Sequence, residues 1–219
     1  MAYIDFISKI HKKTKRNYIE RMVEEKPEII KISKQYDFDF WDGNRKYGYG
    51  GFTYDGRWKV VAEDLIKHYN LKAEDSVLDI GCGKGFLLYD LKQIIPDLKI
   101  SGIDISQYAI EHAKEEVKQF LEQGFAQKLP YPNQSFDLVL SINTIHNSFI
   151  WDVKKQIQEI ERVGKKHKYL ATEAYRNEQE KFNLMCWVLT GECFFSKEEW
   201  EWLFKEFGYN GDYSFIYFE

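Results

Sequence analysis

From Trp58 onward, short apolar runs alternate with stretches in which apolar residues recur every three or four positions. Trp58, Val61, Leu65 and Tyr69 follow helical spacing. Residues 76–80 then predict a buried strand, 84–95 a helix and 99–104 a second strand. A helix is expected over 107–121, capped by Ser106, with Ile110, Ala113, Val117 and Phe120 on its inner face. Residues 136–142 and 169–175 read as strands around a helix at 153–163. Ser196-Lys-Glu-Glu199 forms a capping box ahead of Trp200, Leu203, Phe204 and Phe207, and 213–218 predicts a last strand. Between them, 177–195 begins helically and ends in Thr190-Gly-Glu-Cys-Phe-Phe195.

The chain before Trp58 follows another rhythm. Residues 1–35 carry a ragged apolar stripe (Ile7, Ile10, Tyr18, Met22) among many charges and predict helix that Pro27 breaks or restarts. Residues 36–56 interleave Phe, Tyr and Trp with glycines and predict an ordered loop. The division expected is 1–56 as an N-terminal helical and Gly/Tyr-rich lid and 57–219 as the main domain. Strands alternating with helices of about 10–15 residues imply an α/β, Rossmann-like sandwich with a mainly parallel central sheet and helices on both faces. Ligands are then expected at the carboxyl ends of the strands.

Composition narrows the function classes. The 219 residues suit one domain of doubly wound size. With 31 Lys and Arg against 35 Asp and Glu, the net charge of -4 gives no basic footprint, so no nucleic-acid partner is expected. Cys82, Cys186 and Cys193 are odd in number and lack CxxC spacing, so neither a disulfide framework nor a metal site is expected. The opening segment runs opposite to a signal peptide and no window holds ~18 consecutive apolar residues, which predicts a cytoplasmic protein without a membrane span. The Lys/Glu runs 111–118 and 154–162 read as solvated helix faces.

The sharpest feature is Val77-Leu-Asp-Ile-Gly81-Cys-Gly83-Lys-Gly85-Phe-Leu-Leu88, which reads as buried strand, glycine turn and helix start. Glycines let a ligand approach the backbone, and a helix N-terminus favours an anion. Asp104 closes the next strand, where a carboxylate accepts hydrogen bonds from a ribose. The dinucleotide fingerprint requires glycine or alanine where Phe86 stands, which speaks against a nicotinamide oxidoreductase. Asp79 would repel a pyrophosphate and attract an ammonium or sulfonium. A ribose, a carboxylate and positive charge are combined in S-adenosylmethionine.

With these residues the chain resembles the class I S-adenosylmethionine-dependent methyltransferases, in particular the small enzymes that include those of ubiquinone and menaquinone biosynthesis. Residues 77–85 resemble the first family motif, and Gly102-Ile-Asp104-Ile-Ser106 the acidic strand end. Leu129 to Ser141 resembles the stretch leading through the fourth strand. The likeness runs from about residue 57 to 175 and weakens beyond. It implies that Asp79, Gly81, Cys82 and Gly83 line the methionine and ribose part of the cofactor. It further implies that Asp104 takes the ribose, Ile105 covers the adenine, Ala126 and Gln127 border its edge, and Ser141 joins the cofactor set. Where the family often has Asp before that alanine, Phe125 stands, so either Gln127 bonds the adenine amino group or that group meets solvent. Cys82 reads as a small packed loop residue rather than a nucleophile.

Three further groups are candidates for the acceptor side. Asn143-Thr-Ile-His146-Asn147 follows the fourth strand; His146 is placed to act as a base, to orient the acceptor, or to be a hydrogen-bonded wall residue. Glu173, Tyr175, Arg176 and Glu178 follow the fifth strand and should open on the same cleft, where the charged ones read either as solvated loop residues or as groups touching the acceptor, with Glu173 and Glu178 as alternative proton acceptors. Tyr47, Tyr49 and Tyr54 belong to the aromatic segment, read either as a surface-packed loop or as a lid that excludes water. The expected reaction is in-line methyl transfer to a polar, amine-bearing small molecule or sugar. The alternatives are a protein side-chain amine and, from another class, a cofactor-binding scaffold without catalysis.

Overall fold

The inner strands are apolar almost throughout, and the structure shows why: the sheet is covered on both faces. The computed structural model describes residues 1–11, 16–23, 25–50 and 52–219. Six strands, β1 (Ser76–Ile80), β2 (Lys99–Asp104), β3 (Leu121–Gln123), β4 (Phe136–Ile142), β5 (Gly164–Glu173) and β6 (Asp212–Ile216), form one sheet in the order β3-β2-β1-β4-β5-β6. Every pairing in it is parallel. The helices of eight or more residues are α1 (Lys26–Ser33), α2 (Lys59–Tyr69), α3 (Phe86–Ile94), α4 (Ile150–Val163), α5 (Glu178–Trp187) and α6 (Lys197–Glu206).

Alternation along the strands sorts the core into two layers. Val77, Leu138, Leu140 and Ala171 face Val61 and Leu65 of α2 and Leu87, Leu88 and Leu91 of α3. Leu78, Ile80, Val139 and Leu170 face Ile157 and Ile160 of α4 and Trp200 and Phe204 of α6. The capping box of α6 is present, with Ser196 and Glu199 each bonding the other's backbone. Fully buried Trp200 donates its indole N–H to the carbonyl of Glu173, 2.9 Å away, and so fixes the end of β5. Among the described residues no helix is long and apolar enough to cross a membrane.

Two expectations need correction. The helix expected over 107–121 is two short turns, Gln107–Glu111 and Glu115–Lys118, followed by β3. Lys114 adopts an extended ψ of 122° and donates its N–H to the carbonyl of Lys84, which interrupts the helical ladder. Three residues with two polar side chains are too short to show a strand period. The second correction is at the N-terminus. The helix expected over 1–35 includes residues 12–15 and 24, and the loop expected over 36–56 includes Gly51; these lie outside the described residues. In the described part of 1–35, helix is confined to the turn Ser8–His11 and to α1, whose first turn holds Pro27, and the expected loop 36–56 itself contains a helical turn, Phe38–Trp41, and a 3-10 turn, Arg45–Tyr47. Residues 2–4 instead extend the sheet edge, with Ile4 N–H on the carbonyl of Tyr213 and Tyr213 N–H on that of Ala2. Phe6, Ile7 and Ile10 are buried in the same core layer as Val61, Leu65 and Tyr169.

The aromatic segment is tied down over the strand ends. Lys84 Nζ reaches both Asp42 oxygens, at 2.6 and 2.7 Å, and Tyr108 donates to the same carboxylate. The Trp41 indole donates to Ser106 Oγ at 2.8 Å, while Arg21 donates to the carbonyls of Gly48 and Trp187.

Candidate active site

Strand order reverses at β1, whose neighbours β2 and β4 send their connections to opposite faces. A crevice opens beyond such a switch point. Here it is a cavity of about 350 Å³, within the size of small-ligand pockets. Its floor is the glycine turn. Gly81 has φ +79°, and a Cβ there would lie 2.0 Å from Thr144 Oγ1; Gly83 has φ +53°, and a Cβ there would lie 2.9 Å from the Trp41 ring. Only glycine meets both demands, left-handed backbone and no side chain.

Four of the turn amides are already engaged within the protein. Gly81 and Cys82 donate to the carbonyl of Ile103, Gly85 donates to that of Cys82, and Gly83 donates to Asp104. What the turn offers the cavity is room and two acids. Asp104 accepts from the N–H of Gly83 and of Ser106, both at 2.8 Å, which pins its carboxylate at the cavity wall; burial raises its pKa. Asp79 is buried beside it, and no described residue donates a hydrogen bond to its carboxylate. Burial and then the charge of Asp104 push Asp79 up to about 7.

A cation entering this cavity meets a carboxylate that is half protonated near neutrality and gains most when Asp79 is ionised. Affinity for a cationic ligand should therefore fall as pH drops below about 7, by at most about tenfold per unit for one coupled proton. Titration calorimetry of S-adenosylmethionine at pH 6 and 8 checks this. Asp79→Asn should flatten the profile, and an equally steep profile in that variant would contradict the assignment.

The far side of the cavity holds His146 and Glu173. His146 Nδ1 lies 3.2 Å from Thr172 Oγ1, and its Nε2 lies 3.4 Å from Glu173 Oε2. Burial pushes His146 down to about 3 and Glu173 up to about 8. Both shifts favour the uncharged forms near neutral pH, a neutral imidazole beside a protonated carboxyl group. Tyr49 closes this side. Its hydroxyl accepts from the N–H groups of Leu189 and Thr190 at 2.7 and 3.0 Å, lies 3.1 Å from Thr190 Oγ1, and is pushed up to about 12 by burial.

Of the residues singled out from sequence, the cavity brings together Asp79, Gly81, Cys82, Gly83, Asp104, Ile105, Ala126, Gln127, Asn143, His146, Glu173 and Tyr49. Phe125 is exposed at its rim. The Cys82 thiol is buried and pushed well up, which favours the protonated form. The others do not line it. Ser141 is wholly buried within β4, between Ile80 and Leu170. Tyr54 donates to Asp90 on α3, and half-buried Tyr47 lies under Lys46. Glu178, expected as a proton acceptor, is exposed on the first turn of α5. Arg176 is paired with Glu180 and Glu219, and Tyr175 is bridged to Ser196. Sequence reasoning missed His11, Arg16, Trp41, Trp187 and Phe218, all of which line the cavity. Only Trp41, inside the aromatic run, carried a signal.

The methyltransferase-domain family profile matches residues 71–208. A demethylmenaquinone methyltransferase from Symbiobacterium thermophilum is 30% identical over 118 residues, covering 50% of this chain and 46% of that protein. A 27-O-demethylrifamycin SV methyltransferase from Amycolatopsis mediterranei is 29% identical over 156 residues, covering 64% of this chain and 57% of that one. The chain spans about half the length of the curated relatives it matches. The crystal structure of the YcgJ protein from Bacillus subtilis shares the fold, with a TM-score of 0.55 at 24% identity over 67% of this chain and 66% of that one. The chain belongs to the methyltransferase-domain family of class I S-adenosylmethionine-dependent enzymes.

Proposed function

We propose that this protein is an S-adenosylmethionine-dependent methyltransferase acting on a polar small molecule. The observation that carries this reading is the pair of buried carboxylates, Asp79 and Asp104, ending adjacent strands at a cavity floored by glycines. Bound there, S-adenosylmethionine supplies an electrophilic methyl group for in-line displacement by a nucleophile. Asp104 would hold the ribose hydroxyls and Asp79 the cationic methionine end. Ile105, Ala126 and Gln127 would border the adenine, whose amino group meets Gln127 or solvent because Phe125 offers no hydrogen bond.

On the acceptor side, a group bearing N–H or O–H has to lose a proton as it is methylated. The His146–Glu173 pair is the proton-accepting unit that faces the cavity. An amine acceptor suits this unit provided the amine arrives neutral, which a desolvated chamber favours. Positioning carries more of the rate, on the order of 7–11 kcal/mol. The relatives named for demethylmenaquinone and 27-O-demethylrifamycin SV support a small molecule rather than a protein side chain.

Incubation with methyl-labelled cofactor and size-sorted cell extract tests the reading. Label is expected in a low-molecular-weight fraction. Label in protein would favour a side-chain amine. Bound cofactor with no transfer in any fraction would leave a scaffold.

A further inference from the structure

The acceptor half of the cavity is walled by aromatic rings, and of the cations held against them (Arg16, Arg21 and Arg45) Arg16 lines the cavity. Arg16 lies over the rings of Trp187 and Phe218, its guanidinium carbon 5.5 and 5.0 Å from their centres. Its two terminal nitrogens are turned to His11: one lies 3.0 Å from Nδ1, the other 3.4 Å from the carbonyl oxygen. Its Nε is buried and has no hydrogen-bond partner among the described residues. A buried donor left unpaired costs about 1–3 kcal/mol, more on a charged group. A guanidinium fixed by flat neighbours and short of one bond is arranged for a planar, bidentate acceptor.

Among the described residues, no ionised carboxylate is paired with Arg16 at neutral pH. Burial and Arg45 lower its pKa, while Glu173 and Tyr18, whose hydroxyl is within hydrogen-bonding reach of the guanidinium, raise it. Tyr18 is held in the phenol form by burial, and Glu173 carries the proton it shares with His146. His11 is pushed down to about 4 by burial and by Arg16 itself, so it too stays neutral. The other cations lining the cavity are already paired, Lys84 with Asp42 and Arg57 with Asp55. Asp79 and Asp104 stand at the opposite, glycine-floored end.

We infer that Arg16 binds a carboxylate of the methyl acceptor, so that the substrate is a small acid whose apolar body lies against Trp187 and Phe218 and whose N–H or O–H faces His146 and Glu173. This deepens the methyltransferase reading and rests on it. It also narrows the amine expectation: an amine acceptor would carry a carboxylate as well.

The test is titration calorimetry on the full chain, first with S-adenosylhomocysteine and then, on the saturated protein, with matched acid, amide and amine probes. The sets are benzoate, benzamide and benzylamine, and indole-3-acetate, indole-3-acetamide and tryptamine. At least one acid should bind about tenfold or more tighter than its amide and amine. Arg16→Gln should abolish that preference while leaving the S-adenosylhomocysteine affinity unchanged, and Arg16→Lys should retain part of it. Amides or amines binding as well as the acids, an acid preference that survives in Arg16→Gln, or no acid binding at all would overturn the inference. Failure of S-adenosylhomocysteine itself to bind would instead overturn the methyltransferase reading. Melting curves of both variants show whether the fold is kept, and the lysine variant decides the matter if glutamine unfolds it.

Discussion

Asp104→Ala should weaken S-adenosylhomocysteine binding by about a hundredfold or more. The carboxylate closes β2, accepts from the N–H groups of Gly83 and Ser106, and is the acceptor available to a ribose at that wall. Two hydrogen bonds to a charged group at about 1.5–3 kcal/mol each amount to about 10²–10⁴ in affinity. The loss has two sources. The ribose loses its acceptor, and the Gly83 and Ser106 amides that shape the cavity wall lose theirs. Asp104→Asn keeps the shape and one carbonyl oxygen, so it should lose less. Because burial raises the pKa of Asp104, the asparagine variant should lie nearer to wild type at pH 5 than at pH 8. Calorimetry at both pH values measures this. Unchanged affinity in the alanine variant would mean that the ribose is held elsewhere.

The second large effect is on turnover. Glu173→Gln should lower the methyl-transfer rate about a hundredfold, the lower end of what a positioned base contributes, with little change in cofactor affinity. With the acceptor fraction isolated by labelling, wild-type rate should rise with pH through about 8 and level off above it, as Glu173 gives up its proton and the pair becomes able to accept one. The glutamine variant should lack that rise. The same group has an effect on stability of known sign. Its folded pKa, about 8, lies above its ordinary 4.5, so the folded state binds the proton more tightly between those values. Stability is therefore lost as pH rises from about 4.5 through 8. Wild-type melting temperature should fall between pH 7 and 9, whereas Glu173→Gln, which cannot ionise, should lack this component of the fall. A rate that matches wild type at every pH would remove Glu173 from the chemistry.

Which parts of this molecule were legible in its sequence follows from where the determining contacts lie along the chain. β1, β2 and β4 are buried on both faces, so apolar runs as short as Ser76–Ile80 stand out. β3 is three residues long with two exposed polar side chains, and nothing marks it. The glycine-floored half of the cavity is readable because one contiguous stretch, 77–85, supplies strand, turn and Asp79, and the next strand supplies Asp104. The amides of that stretch were expected to cradle an anion, but Ile103, Cys82 and Asp104 already accept from four of them.

The far half of the cavity is assembled from residues with little in common along the chain. Arg16 and His11 come from a charge-rich opening segment indistinguishable from a solvated face, while Trp187 ends α5 and Phe218 follows β6. Residues 175–178 misled for a local reason. Asn177 caps α5 by accepting from the N–H of Glu180 at 2.9 Å, and Arg176 also engages Glu180, so Glu178 and Arg176 turn outward. The chain reaches the cavity through Glu173 instead, held by Trp200 from below.

The claim on which all of this depends is that the pocket at the ends of β1 and β2 receives the methyl donor, and a crystal structure of the protein with S-adenosylhomocysteine tests it most directly. Ligand density should fill the glycine-floored cavity, with ribose hydroxyls within hydrogen-bond reach of Asp104 and the amino group facing Asp79. A saturated crystal with that cavity empty, or with the ligand seated away from both carboxylates, would contradict it.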